Sequence, residues 1–120
     1  MGNENVILEK SFRFALKIIE YSELLESNKK YVIARQILKA GTSVGANVRE
    51  AQSAESKTYF IHKLKIADKE ANELEHWLQL CKMAENYPDP QLLENELLEI
   101  KKILSKIIAS SKSSIKYTTY

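Results

Sequence analysis

A chain of 120 residues holds one hydrophobic core and one domain rather than two. Three glycines and two prolines are too few for a turn-rich β architecture, and the abundance of Leu, Ile, Lys, Glu and Ala sets a helical bias. The net charge of +2 excludes a wholesale polycation, yet residues 101–120 carry five lysines and no acid, while residues 1–28 carry three basic and five acidic side chains.

The first predicted helix runs from about Asn5, a candidate N-cap, to Leu25, where Glu26-Ser27-Asn28 ends it. Its apolar residues fall on two lines. One is Leu8, Phe12, Ala15 and Ile19, with Leu16 beside it; the other is Phe14, Ile18, Tyr21 and Leu25. Only Glu9, Arg13, Lys17 and Glu20 form a polar strip. A helix apolar over most of its circumference needs cover on more than one side, so a second subunit is expected beside the bundle's own core.

The second predicted helix runs from near Lys29 to about Ala54. Its stripe is Ile33, Ile37, Ala40 with Gly41, Val44, Val48 and Ala51, and it keeps the helical period straight through AGTSVGANVREAQ. A glycine in a helix interior costs roughly 1 kcal/mol against alanine, so two of them one turn apart need a reason. A phosphate loop is excluded, because Gly45 is followed by Ala46 and Asn47 rather than by Lys and Ser or Thr. Gly41 and Gly45 are therefore read as close helix packing, against a neighbouring helix or a large side chain such as Trp77, Phe12 or Phe60. Beside them Ser43, Asn47 and Glu50 form a polar line. It is either a network with Tyr59, His62, Lys63, Glu70 and Glu73 of the third helix, or a solvated face.

The third predicted helix runs from Lys57 to Glu85 behind Ser56 as N-cap, with the seam Phe60, Leu64, Ala67, Ala71, Leu74, Leu78 and Cys81. Asn86-Tyr87-Pro88-Asp89-Pro90 is the clearest turn, with Asp89 as N-cap and Pro90 as N1 of the fourth helix. That helix carries Leu93, Leu97, Ile100, Leu104 and Ile107 to about Ser110, with Leu98 off the stripe. The expected fold is all-α, an antiparallel up-and-down four-helix bundle over residues 1–112, with a frayed or disordered tail at 113–120.

Catalytic, cofactor and metal residues are not expected. Glu73-x-x-His76 is half of a di-iron motif whose other half is missing, since His62 follows Tyr59 on the same helix. Cys81 continues the Leu74, Leu78 seam as a buried thiol and has no second cysteine to pair with. Val6 stands where a myristoylation signal needs Ser or Thr, and neither a signal peptide nor a membrane-length apolar run is present, so a cytoplasmic location away from membrane is expected. The reading is a non-enzyme.

Binding then rests on surface. Lys10, Arg13 and Lys17 on the first helix, Lys29, Lys30, Arg35 and Lys39 around the start of the second, and Lys112 and Lys116 near the C-terminus are candidate nucleic-acid contacts. The alternative is solubilising charge, and Lys101, Lys102 and Lys106 also suit a helix C-terminus without any partner. A different reading uses the broad first helix and Leu98 as the docking surface of a protein–protein adaptor without nucleic acid.

The stretch from Gly41 into the third helix also resembles a bacterial four-helix-bundle family. It is named after proteins encoded in intervening sequences of 23S ribosomal RNA genes. Its Ser-x-x-x-Asn-(Ile/Val)-x-Glu segment is matched by Ser43, Asn47, Val48 and Glu50. Its Ser-Lys step and aromatic are matched by Ser56, Lys57 and Phe60, and its Leu, Ala, Glu, Glu-Leu run by Leu64, Ala67, Glu70, Glu73 and Leu74. Many members carry Gly after the helix-two Glu, where this chain has Ala51. The resemblance implies an all-helical bundle and ring-shaped homo-oligomers, notably pentamers. A relative, the accessory protein of diversity-generating retroelements, binds nucleic acid and a reverse transcriptase through a positively charged ring surface. RNA or DNA is thereby implied as a partner here, and a reverse transcriptase only where the gene sits in such an element.

Overall fold

A computed structural model describes the backbone of residues 3–118 and the side chains of residues 6–115. It contains four helices: α1 (Asn3–Ser27), α2 (Tyr31–Ala51), α3 (Lys57–Met83) and α4 (Gln91–Thr118). Each packs on its chain neighbour, α1 also packs on α4, and neither diagonal pair comes within backbone contact. With short links this is the closed square of an antiparallel up-and-down bundle, 56 × 22 × 22 Å in extent.

The links explain where the helices stop. Lys29 takes the left-handed conformation at φ 64°. Its N–H bonds the Glu26 carbonyl at 2.9 Å, and the next N–H, of Lys30, bonds Leu25 at 2.8 Å. That pair of bonds is a Schellman closure, so α2 begins at Tyr31 rather than near Lys29. At its far end α2 stops at Ala51, short of the expected Ala54, as Gln52, Ser53 and Ala54 each bond three residues back. Ser56 caps α3 as read, accepting the Tyr59 N–H at 3.1 Å. Asp89 accepts the Gln91 N–H at 3.1 Å at the head of α4. That helix runs past Ser110 to Thr118; no Gly or Pro interrupts residues 101–118.

Of the two apolar lines on α1, the bundle uses one. Phe14, Ile18, Tyr21 and Leu25 are buried together with Ile7, Ser11 and Ser22, whereas Phe12, Leu16 and Ile19 are exposed. The α2, α3 and α4 stripes close the core with Ile37, Val44 and Val48, with Leu64, Leu74 and Leu78, and with Leu97, Ile100 and Leu104. The α3 seam holds from Leu64 to Cys81, while Phe60 is only partly buried.

Both glycines of AGTSVGANVREAQ sit inside α2 and face α1. A Cβ on Gly41 would stand 2.6 Å from Ile18 Cγ2 and 2.7 Å from its Cγ1; one on Gly45 would stand 3.2 Å from the Ser11 carbonyl oxygen. The close approach is to Ile18 and to the Ser11 backbone, not to Trp77, Phe12 or Phe60. Bare backbone on α2 lets a branched side chain of α1 lie flat against it.

Candidate functional site

The closed square has four outer faces, and two opposite ones differ sharply in chemistry. On the α1–α2 face, Phe12 is 55% and Leu16 51% exposed, with Ile19 and Leu38 also open to solvent. A shallow groove of about 240 Å³ between the helices is lined by Leu8, Phe12, Ala15, Thr42, Gly45, Ala46 and Arg49. Its floor exists because Gly45 has no side chain. Large exposed apolar side chains gathered beside a groove are a feature that interaction surfaces share.

The candidate cations of α1 are placed differently from the expectation. Lys10 bonds Glu99 of α4 at 3.0 Å, Arg13 bonds Glu9 at 3.1 Å one turn back, and Lys17 bonds Glu96 of α4. The two lysine pairs clip the α1–α4 seam, which is the most sparsely packed of the four. Each charge is neutralised locally, so this row is a structural clip more than an open basic surface. Lys30 lies over the Tyr87 ring at 4.7 Å. Lys29, Arg35 and Lys39 are exposed, with no ion-pair partner among the described residues.

The polar line splits. Ser43 Oγ donates to the Lys39 carbonyl at 2.7 Å and Asn47 Nδ2 to the Ser43 carbonyl at 2.9 Å, both down their own helix. Only Glu50 crosses to α3, accepting a bond from Lys63 Nζ at 2.8 Å. Lys63 also lies 5.6 Å from the Tyr59 ring centroid, and its pKa is raised, first by the bond to Glu50. The line is one interhelix tie plus two intrahelical bonds; His62, Glu70 and Glu73 do not join it with any described bond.

Opposite the apolar face, the α3–α4 face is basic. Lys112 of α4 meets Lys65 of α3, and its pKa is lowered, first by that ammonium contact and then by the like charge. Lys69, Lys102 and Lys106 are also exposed, Lys106 two turns beyond Glu99 on the side of α4 that bonds α1, and none of the five has an ion-pair partner among the described residues. Asp68, half-buried, lies one turn from Lys65 on α3. Lys101 is set apart by its bond to Glu75 at 2.9 Å. The acid-free run after residue 100 signalled the α4 half of this face; the α3 half, Lys65 and Lys69, is joined to it only by folding. The Lys116 side chain lies outside the described residues.

The Tyr21 hydroxyl donates to the Pro88 carbonyl at 2.6 Å, tying α1 to the α3–α4 link. Burial raises the Tyr21 pKa, and raises that of the adjacent buried Cys81, against thiolate formation. His76 is exposed and packs edge-on to Trp77. Among the described residues, no group of three or more His, Cys, Asp or Glu side chains could hold a metal ion. No described helix is long and apolar enough to cross a membrane.

Fold and faces together define a helical-bundle protein whose distinctive chemistry lies on its outer surfaces. The chain belongs to the 23S rRNA-intervening sequence protein family, whose model matches residues 3–107. It is also similar to a crystal structure from Bacteroides thetaiotaomicron, described as a protein of unknown function from the S23 ribosomal protein family. The identity is 44%, the match covers 89% of this chain and 98% of that one, and the TM-score is 0.83. No curated protein matches the chain.

Proposed function

We propose that this protein is a non-enzymatic, cytoplasmic, homo-oligomeric scaffold that joins copies through the α1–α2 face and offers its opposite α3–α4 face to nucleic acid. The observation that carries the reading is the exposure of Phe12, Leu16 and Ile19 beside the Gly45 groove. Such a patch is costly to leave in water and suits a second copy of the same chain. A ring of five is the assembly that the family resemblance implies. Because the two faces are opposite, assembly would leave the Lys65–Lys112 face open.

Sedimentation of Phe12→Glu and Leu16→Glu variants tests this. The expected result is dissociation with helicity retained, because both side chains lie outside the bundle core. Unchanged assembly of both variants would overturn it.

A second reading, a protein–protein adaptor, is favoured by the end of the bundle that holds the α1–α2 and α3–α4 links. There Val32, Met83 and Leu92 are exposed, with Leu24, Tyr31 and Leu80 near them. A partner protein that binds the chain and is lost on Met83→Asp and Leu92→Asp substitution would favour this reading.

A further inference from the structure

Resting on the self-association reading above, we infer that copies join head to tail: Leu92, at the head of α4 in one copy, seats in the Gly45 groove on the α1–α2 face of the next. Self-association then uses two different surfaces of the chain. The first is the α1–α2 groove already described. Among the described residues, Arg49 is the only charge on its walls, and it is exposed with no ion-pair partner.

The second surface lies on the adjacent α1–α4 face. A groove of about 380 Å³ there has walls that include Lys17, Glu20 and Leu24 of α1, Leu92 and Leu93 of α4, and Asp89 of the link. Leu92 is 79% and Leu24 47% exposed, so this groove carries an apolar pair of its own. Lys17 is taken by Glu96. Glu20 and Asp89 remain as exposed acids on its rim.

Two observations select this pairing over docking of the α1–α2 face on a copy of itself. Charge is the first. No described acid lines the Gly45 groove, so a second such groove offers Arg49 nothing, whereas the α1–α4 groove brings two carboxylates. Shape is the second. The Gly45 groove is a hollow floored by bare backbone, and Leu92 is a side chain that stands clear of its own fold on a firm mount. Tyr21 donates to the Pro88 carbonyl at 2.6 Å, Asp89 accepts the Gln91 N–H at 3.1 Å, and Lys82 bonds the Gln91 side chain. A knob held still before docking loses little entropy on docking. The grooves meet α1 at Leu8–Ala15 and at Lys17–Leu24, about 13 Å apart along its axis, and open onto adjacent sides of the bundle. One copy can therefore hold two neighbours at once, as a head-to-tail assembly requires.

The test is complementation between two variants, each defective on a different surface: Phe12→Glu and Leu92→Glu, both outside the core. Mass is read by sedimentation at micromolar concentration. Each variant alone is expected to lose at least about tenfold in self-affinity and to sediment as the 13.8 kDa single chain. Mixed one to one, they are expected to form a complex of one copy of each and to stop there. The Phe12→Glu chain keeps an intact α1–α4 groove, and the Leu92→Glu chain keeps an intact α1–α2 groove. Met83→Asp, on a side chain 83% exposed at the end of α3 and outside both grooves, should assemble like the parent chain. Far-UV circular dichroism checks that each variant is folded.

A Leu92→Glu chain that assembles like the parent would overturn the inference while leaving self-association through Phe12 standing. So would two variants that stay apart when mixed, or a Met83→Asp chain that loses assembly as fully as Leu92→Glu. A parent chain that stays a single copy at every concentration would sink both the inference and the reading beneath it.

Discussion

Gly41 of α2 and Ile18 of α1 share one packing site: the space a Gly41 side chain would need is already filled by the two γ carbons of Ile18, 2.6 and 2.7 Å from the ideal Cβ position. The α1–α2 contact is thereby set at backbone distance, and the same approach places Ser11 against Gly45.

Gly41→Ala should destabilise the fold by about 1–3 kcal/mol through overpacking, despite the gain of roughly 1 kcal/mol in helix propensity. Gly45→Ala meets a backbone oxygen at 3.2 Å and should be milder. Urea denaturation of both checks the order. Ile18→Ala, costly alone, should turn the added Gly41 methyl from harmful to neutral or better, and a double-mutant cycle without such coupling would refute the shared site.

Ser56→Ala should cost about 1 kcal/mol, because the Tyr59 N–H then loses its acceptor at the head of α3. Thermal unfolding should show a fall of several degrees, about the size expected for a domain of this length. Ser53→Ala, one turn earlier in the link and without a described cap bond, is the matched control and should change little.

Cys81 should react with a disulfide reagent only when the bundle opens. Burial holds its pKa up and its sulfur away from solvent. The expected result is negligible labelling in buffer and rapid labelling in denaturant, at one thiol per chain. Fast labelling of the folded protein would mean the thiol is accessible and its buried packing role is wrong.

Glu99→Gln and Glu96→Gln release Lys10 and Lys17 from the α1–α4 seam. Because both pairs are largely exposed, each substitution should cost at most about 1 kcal/mol, and less at high salt. Chemical denaturation at low and high salt measures this. A larger, salt-independent loss would show that the pairs hold the seam by more than surface electrostatics.

Much of this architecture was readable from local pattern. The Ile33-to-Ala51 period carried the helix through two glycines, Ser56 announced its cap, and the α3 seam from Leu64 to Cys81 is buried as spaced. Period alone could not say which apolar line of α1 faces inward, because Phe12, Ile19, Phe14 and Ile18 all lie on helical spacings. The choice is made by α2, where Gly41 accepts Ile18. Nor could spacing show that Lys10 and Lys17 meet Glu99 and Glu96, or that Lys65 meets Lys112. Those pairs are far apart in sequence and are joined only by the closure of α4 onto its neighbours. Ser43 and Asn47 stood at the right spacing for a network with α3, but each finds a nearer acceptor one turn back on its own helix.

The most direct test of the central claim is the mass of the full chain in solution, by size-exclusion chromatography with light scattering at micromolar concentration and moderate salt. The account predicts one stable species at several times the 13.8 kDa of a single chain, with five copies as the expected number. A stable species at 13.8 kDa, unchanged as concentration rises, would contradict self-association through Phe12, Leu16 and Ile19.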